Sequence, residues 1–138
     1  MIKGLDELKY ALNKFSLDMV TVTDNAVRIT AFDVLRNATQ AIKKTSKGKT
    51  VPRGTETHTQ SKKGDAPNSD TARLIKSIAV LHDKGSQIAE VGTNVDYGAI
   101  LETTYSRPWL VPAKDKALKN FQKNMTRAID IAIAKAAK

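Results

Sequence analysis

Leu5, Leu8, Leu12, Phe15, Met19, Val22, Ala26 and Ile29 follow one another at intervals of 3, 4, 3, 4, 3, 4 and 3 residues. That spacing returns each apolar side chain to one side of a helix, for about seven turns. A chain that opens this way commits its first third to helix. Asp6 and Glu7 fall in the first turn, and Lys43 and Lys44 close the segment; both placements favour the helix dipole. The β-branched run at Val20–Asn25 and the capping residue Asp24 predict either two helices or one bent helix, ending near Lys44.

Residues 45–69 read differently. Thr, Ser, Lys and Gly dominate, Pro52 and Pro67 interrupt, and apolar residues are scarce. The segment is expected as a long flexible loop, within which Thr50–Gln60 forms an extended arm or hairpin. Order returns after Ser69 or Asp70, either of which can cap a short helical turn. A strand around Ser77–Leu81 then turns at His82–Ser86, where Gly85 is free to take positive φ, and returns along Gln87–Gly92. Val95–Glu102 reads as a short helix and 103–112 as a loop restricted by Pro108 and Pro112. Leu118, Phe121, Met125, Ile129, Ala132 and Ala136 then mark the apolar stripe of a last helix. With 138 residues the chain is expected as one domain of α+β class. The expected division is a helical region at 1–44, a flexible basic loop at 45–69, a hairpin, short helix and Pro-rich loop at 70–112, and a C-terminal helix at 113–138. A small antiparallel sheet is packed by the two long helical parts.

Charge is unevenly placed. The net value is +9, yet residues 1–42 sum to zero and residues 64–112 to −2. Lys43, Lys44, Lys47, Lys49, Arg53, Lys62 and Lys63 against Glu56 give +6, and residues 113–138 give +5. An excess confined to one loop and one helix suits contact with a polyanion or an acidic protein surface, or simply solvation. Chemistry finds less support. There is no cysteine, which removes thiolate chemistry, disulfides and cysteine-ligated zinc. His58 and His82 lack metal-ligand spacing, and Gly92-Thr-Asn belongs to no phosphate-loop pattern. No catalytic constellation, cofactor site or metal site is expected, and the chain reads as a non-enzyme. No apolar run approaches the roughly 20 residues of a membrane span, and the opening does not read as a secretory signal.

Three segments carry a resemblance. They are GLDEL at Gly4–Leu8, DAPNSDTARLIKSIAV at Asp65–Val80, and VGTNVDYGAILETTYSRPWLVPA at Val91–Ala113. Their order resembles the tail-completion, or head–tail joining, proteins of long-tailed bacteriophages, also known as neck or minor tail morphogenesis proteins. The pattern departs from that family at several points. Ala72 stands where the family usually has Gly after Thr, Gly98 follows Tyr97 in place of Ala, Trp109 replaces a frequent Phe, and Glu102 lacks a following Gly-Thr.

The resemblance implies helices packed on a small antiparallel sheet and assembly as a ring of copies, six in number, at the neck of the virion. The implied partners are the head connector or head-completion protein on one side and the tail terminator or tail tube on the other. Nonspecific contact with packaged DNA is possible on this reading, and membrane contact is not. The protein would be made in the host cytoplasm. Within it, Tyr105, Arg107 and Trp109 are candidate interface residues, although ring area favours core positions for Tyr97 and Trp109. The basic loop residues Lys43, Lys44, Lys47, Lys49, Arg53, Lys62 and Lys63 are candidates for partner or DNA contact. The rival is a small basic nucleic-acid-binding protein, against which the separation of aromatics from the basic loop in sequence counts. A third reading is a toxin-like or regulatory partner protein.

Overall fold

A computed structural model describes residues 4–69 and 72–137. The opening stripe forms one uninterrupted helix, α1, over Leu5–Lys43. Of the two forms expected, two helices or one bent helix, the chain takes the single helix without a break at Asp24, for two local reasons. Thr21, Thr23 and Thr30 donate their hydroxyls to the carbonyls of Leu17, Met19 and Ala26 at 3.2, 2.8 and 2.8 Å, so these β-branched residues are satisfied inside the helix. Asp24, moreover, does not cap anything on its own helix; its carboxylate is used elsewhere.

The chain continues through β1 (Thr50–Arg53), β2 (Glu56–Thr59), α2 (Arg73–Ser77), β3 (Ala79–Asp83), β4 (Ile88–Gly92), α3 (Asp96–Thr103) and α4 (Val111–Ala136). The α+β class holds, with two separate two-stranded antiparallel sheets, β1–β2 and β3–β4. Within the 45–69 segment, the arm or hairpin expected at Thr50–Gln60 is the β1–β2 hairpin.

Helix α4 lies antiparallel along α1. Asn37 Nδ2 donates to the Ala113 carbonyl at 3.3 Å near one end, and Lys135 Nζ lies 4.0 Å from Asp18 near the other. Small residues meet where the two helices join the core: Ala38 of α1 packs with Ala113 and Ala117 of α4, all of them buried. Alanine lets two helix backbones approach closely at little cost in side-chain entropy. Of the expected α4 stripe, Ala132 is buried, Phe121, Met125 and Ile129 are half-buried, and Leu118 and Ala136 are exposed; Ala113 and Ala117, outside that stripe, are buried as well.

At the C-terminal end of α1 the core widens. Val34, Ala38 and Ile42 meet Leu74, Ile78, Trp109, Ala113 and Ala117. Trp109 is 2% exposed and donates its indole N–H to the Gly98 carbonyl at 2.9 Å. A Cβ at Gly98 would stand 2.7 Å from Thr93 Cγ2, 3.2 Å from Leu74 Cδ1 and 3.5 Å from the Trp109 ring. Two departures from the resembled pattern, Gly98 and Trp109, are thus in mutual contact. Glu102 fixes the next element. Its carboxylate accepts the N–H groups of Trp109, Leu110 and Val111 at 2.7, 3.0 and 3.0 Å, so a side chain of α3 caps α4, where Pro112 sits in the first turn.

The β3–β4 hairpin is latched to α1. Val80, His82, Ala89 and Val91 face inward and their neighbours outward, the period of two expected of a half-buried hairpin. Asp24, itself buried, accepts from His82 Nε2 at 2.9 Å and from the Gly85 and Gln87 N–H groups at 3.0 Å each. The Gly85 N–H is the main reason its pKa lies below the ordinary aspartate value; burial opposes that shift, and His82 and the Gln87 N–H reinforce it. Gln87, at φ 60, is held further by its side-chain amide on Thr23 Oγ1.

Two outcomes are expected. Trp109→Ala should lower stability by about 3–5 kcal/mol, read from the urea midpoint; an unshifted midpoint contradicts the core position. A lowered folded pKa means that the Asp24 contribution is present above the unfolded value of about 3.9 and fades as pH falls through the folded value. Asp24→Asn should therefore melt below wild type near neutral pH, and the gap between their melting curves should narrow as acidification protonates Asp24 in the folded chain.

Candidate interaction surface

The β1–β2 hairpin turns at Gly54-Thr55, with Gly54 at φ 64, and pairs Val51 with His58 and Arg53 with Glu56. It packs on no other element to any extent among the described residues, so it projects as an arm. Its base is firmly tied. The Asn68 side chain accepts the Ser46 N–H at 2.7 Å and donates to the carbonyls of Ser46 and Thr59 at 2.7 and 2.8 Å. Ser46 Oγ donates to Asp65 at 2.7 Å and accepts the Lys62 N–H at 3.0 Å. Gly48 runs so close to the Gln60 carbonyl that no side chain fits there.

This arrangement distributes the cations. Lys43 ends α1, Lys44 caps it, Lys47 and Lys49 lead into β1, and Lys62 and Lys63 follow β2; all are exposed. Arg53, at the end of β1, instead lines an open cleft of about 1110 Å³ between the arm, α2 and α3. His58, Arg73, Lys76, Tyr97 and Arg107 line it as well. No acidic side chain lines this cleft among the described residues. Arg107 also donates Nε to the Ser61 carbonyl at 3.3 Å, and Arg53, His58 and Arg73 have contacts within the chain. Ser61 is 4% exposed, and its hydroxyl, in the wall of the cleft, has no hydrogen-bond partner among the described residues.

Of the three expected interface residues, Arg107 sits in the cleft and Tyr105 is exposed beyond α3. Trp109 takes the core position that its ring area favours and not the interface one: it offers no surface, because its large ring and indole N–H are both satisfied inside. Tyr97 is a correction in the other direction, standing partly exposed at the cleft rather than in the core. The sequence reading also passed over Arg73, Lys76 and Ser61. The i,i+3 spacing of Arg73 and Lys76 on a short helix was the one signal available for them. The possible cap at Asp70 lies outside the described residues; α2 begins after Ala72 with no side-chain cap.

Among the described residues no three His, Asp, Glu or Cys side chains gather to hold a metal ion, and no helix is long and apolar enough to cross a membrane. The chain matches no protein-family model, no curated protein and no solved structure. The surface that remains is an arm tied at its base beside a cationic cleft with Tyr97 at its edge.

Ala72, which also lines the cleft, has φ 58. That is the left-handed region, where a Cβ costs roughly 1 kcal/mol and glycine pays no such penalty. Ala72→Gly is therefore expected to hold or raise the thermal midpoint despite the greater freedom of glycine in the unfolded chain. A clear fall in the midpoint would refute a left-handed residue at the head of α2.

Proposed function

We propose that this chain is a structural protein of the bacteriophage neck that completes the tail and joins it to the head connector, assembled as a ring of copies. The observation that carries the reading is the ordered set of three resembled segments, the last two of which supply residues to one core. Leu74 and Ile78 come from the second segment, and Val91, Leu101 and Ala113 from the third. Gly98 and Trp109, which depart from the resembled pattern, complete the same core.

On this reading the work is the mating of surfaces. Each copy presents six excess positive charges over residues 43–63. A ring repeats that charge as a band, which attracts an acidic neighbouring ring or DNA in the channel. The cleft supplies a receptor for acidic or hydrogen-bonding side chains, and the buried Ser61 hydroxyl is a group that a docked partner would satisfy.

One observation keeps the nucleic-acid reading in play. Folding brings Tyr97 to the same cleft as Arg53, Arg73 and Arg107, and aromatic faces among cations suit unstacked bases. The two readings separate experimentally. Changing Lys47, Lys49, Lys62 and Lys63 to Gln should leave the fold within about 0.5 kcal/mol of wild type, as for exposed positions generally. In a phage carrying those changes, joined head–tail particles should fall by about tenfold, the equivalent of 1.4 kcal/mol of assembly energy. Normal joining removes the arm from the mechanism, and absence of the chain from purified virions ends the neck reading. Tight duplex or single-strand binding at moderate salt, weakening by about 0.9 in log–log slope for each duplex phosphate contact, is the outcome belonging to the rival.

A further inference from the structure

The last helix carries positive charge on a side that the fold leaves bare. Lys116, Lys119, Lys123 and Arg127 of α4 are all exposed and follow one another at intervals of 3, 4 and 4 residues. That spacing returns a cation to the same side on each successive turn, over about 16 Å of helix. Ala117, Phe121, Ala128 and Ala132, buried or half-buried, mark the other side. Between Lys116 and Arg127 the cationic side holds only Asn120 and, at its margin, Thr126, whose hydroxyl donates to the Gln122 carbonyl at 3.0 Å. The acidic residues of α4 stand outside the run: Asp115 before it, 3.9 Å from Lys114, and Asp130 after it. Lys135, further on, lies against Asp18. None of the four stripe cations has an ion pair among the described residues.

We propose that this stripe is a contact for the sugar–phosphate backbone of duplex DNA, held by charge and indifferent to sequence. Charge complementarity sets the class of partner. Over about 16 Å of axis one DNA strand presents about five phosphates, one per 3.4 Å. The helix meets them with a similar density of cations, Lys116, Lys119, Lys123 and Arg127. The Asn120 amide adds a neutral donor of the kind that phosphate oxygens accept. An acidic protein surface fits less well. A protein contact needs an apolar centre, and this side has none; Leu118, though exposed, falls on another side by its spacing. Phosphate contacts without base contacts give weak binding, with Kd on the order of 10⁻⁴–10⁻⁶ M at physiological salt. That is far from the tight binding of a dedicated nucleic-acid-binding protein, so the contact is compatible with the neck reading and does not rest on it.

Helix α4 begins near the root of the arm, where the Gly64 N–H donates to the Ser106 carbonyl at 2.7 Å. The arm and the helix must therefore be read apart. A short fluorescent duplex is titrated with the full chain at increasing salt, and log affinity is plotted against log salt. Changing Lys119 and Lys123 to Gln should make the slope shallower by about 1.8, and changing Lys116 and Arg127 as well by about 3.6, at about 0.9 for each lost phosphate contact. The same falls should appear in a chain whose Lys47, Lys49, Lys62 and Lys63 are already Gln. Lys119→Arg with Lys123→Arg keeps the charge and should keep the slope. Circular dichroism should be unchanged throughout, because all four positions are exposed, and duplexes of unrelated sequence should behave alike.

A slope that ignores the α4 changes overturns the proposal, as does a chain that binds no duplex at low salt. Tighter binding of polyglutamate than of DNA at equal charge also overturns it, and assigns the stripe to an acidic protein. A chain found in virions that fails these titrations loses the DNA contact and keeps the neck reading; a chain that passes them but is absent from virions does the reverse.

Discussion

Ala38 of α1 packs with Ala113 and Ala117 of α4, so the two helices run close together where the core forms, and the other elements take their places from that contact. Close approach brings the start of α4 beside Asn37 and so positions Trp109, immediately before the helix, against Val34, Ala38 and Ile42. The single large ring then fills a space that a chain with 5% aromatics has few other means to fill. Gly98 is part of the same solution, since its missing side chain leaves room for Thr93, Leu74 and the indole together. Shape and hydrogen bonding are settled by one residue pair, which is why the third resembled segment folds as a unit.

Three polar side chains perform the remaining attachments, each by satisfying several backbone groups at once. Asp24 takes the turn of β3–β4, Glu102 takes the N-terminus of α4, and Asn68 closes the base of the arm. In each case a side chain distant in sequence, or on another element, replaces the water that the backbone would otherwise need. A protein with small hairpins and little sheet cannot rely on ladders for this purpose, so side chains carry it.

The parts legible in the sequence were those governed by periodicity. The long terminal helices, the β3–β4 hairpin and the short helix at Asp96–Thr103 follow from spacing of 3.6 or 2 and from turn residues such as Gly85. What periodicity does not encode is the use of polar side chains at long range. Asp24 looks like a cap because its partners, His82, Gly85 and Gln87, are about sixty residues away. The same limit hid the cleft, since Arg53, Arg73 and Arg107 are collected only by folding. The α4 stripe was read in part: Ala132 is buried and Phe121, Met125 and Ile129 half-buried, but Ala113 and Ala117, small residues that a hydrophobic pattern weighs lightly, were not placed on it. Trp109 shows a different ambiguity: an aromatic between prolines suits a loop anchor inside the fold or outside it, and the free Gly98 carbonyl decided between them.

The amide of Asn68 has a mechanical consequence. It grips both roots of the β1–β2 arm, and the tip lies about 13 Å beyond, four strand residues away. The lysines therefore cluster at that root, where the Asn68 and Ser46 hydrogen bonds hold the backbone, and Arg53 is the cation carried out along the strand.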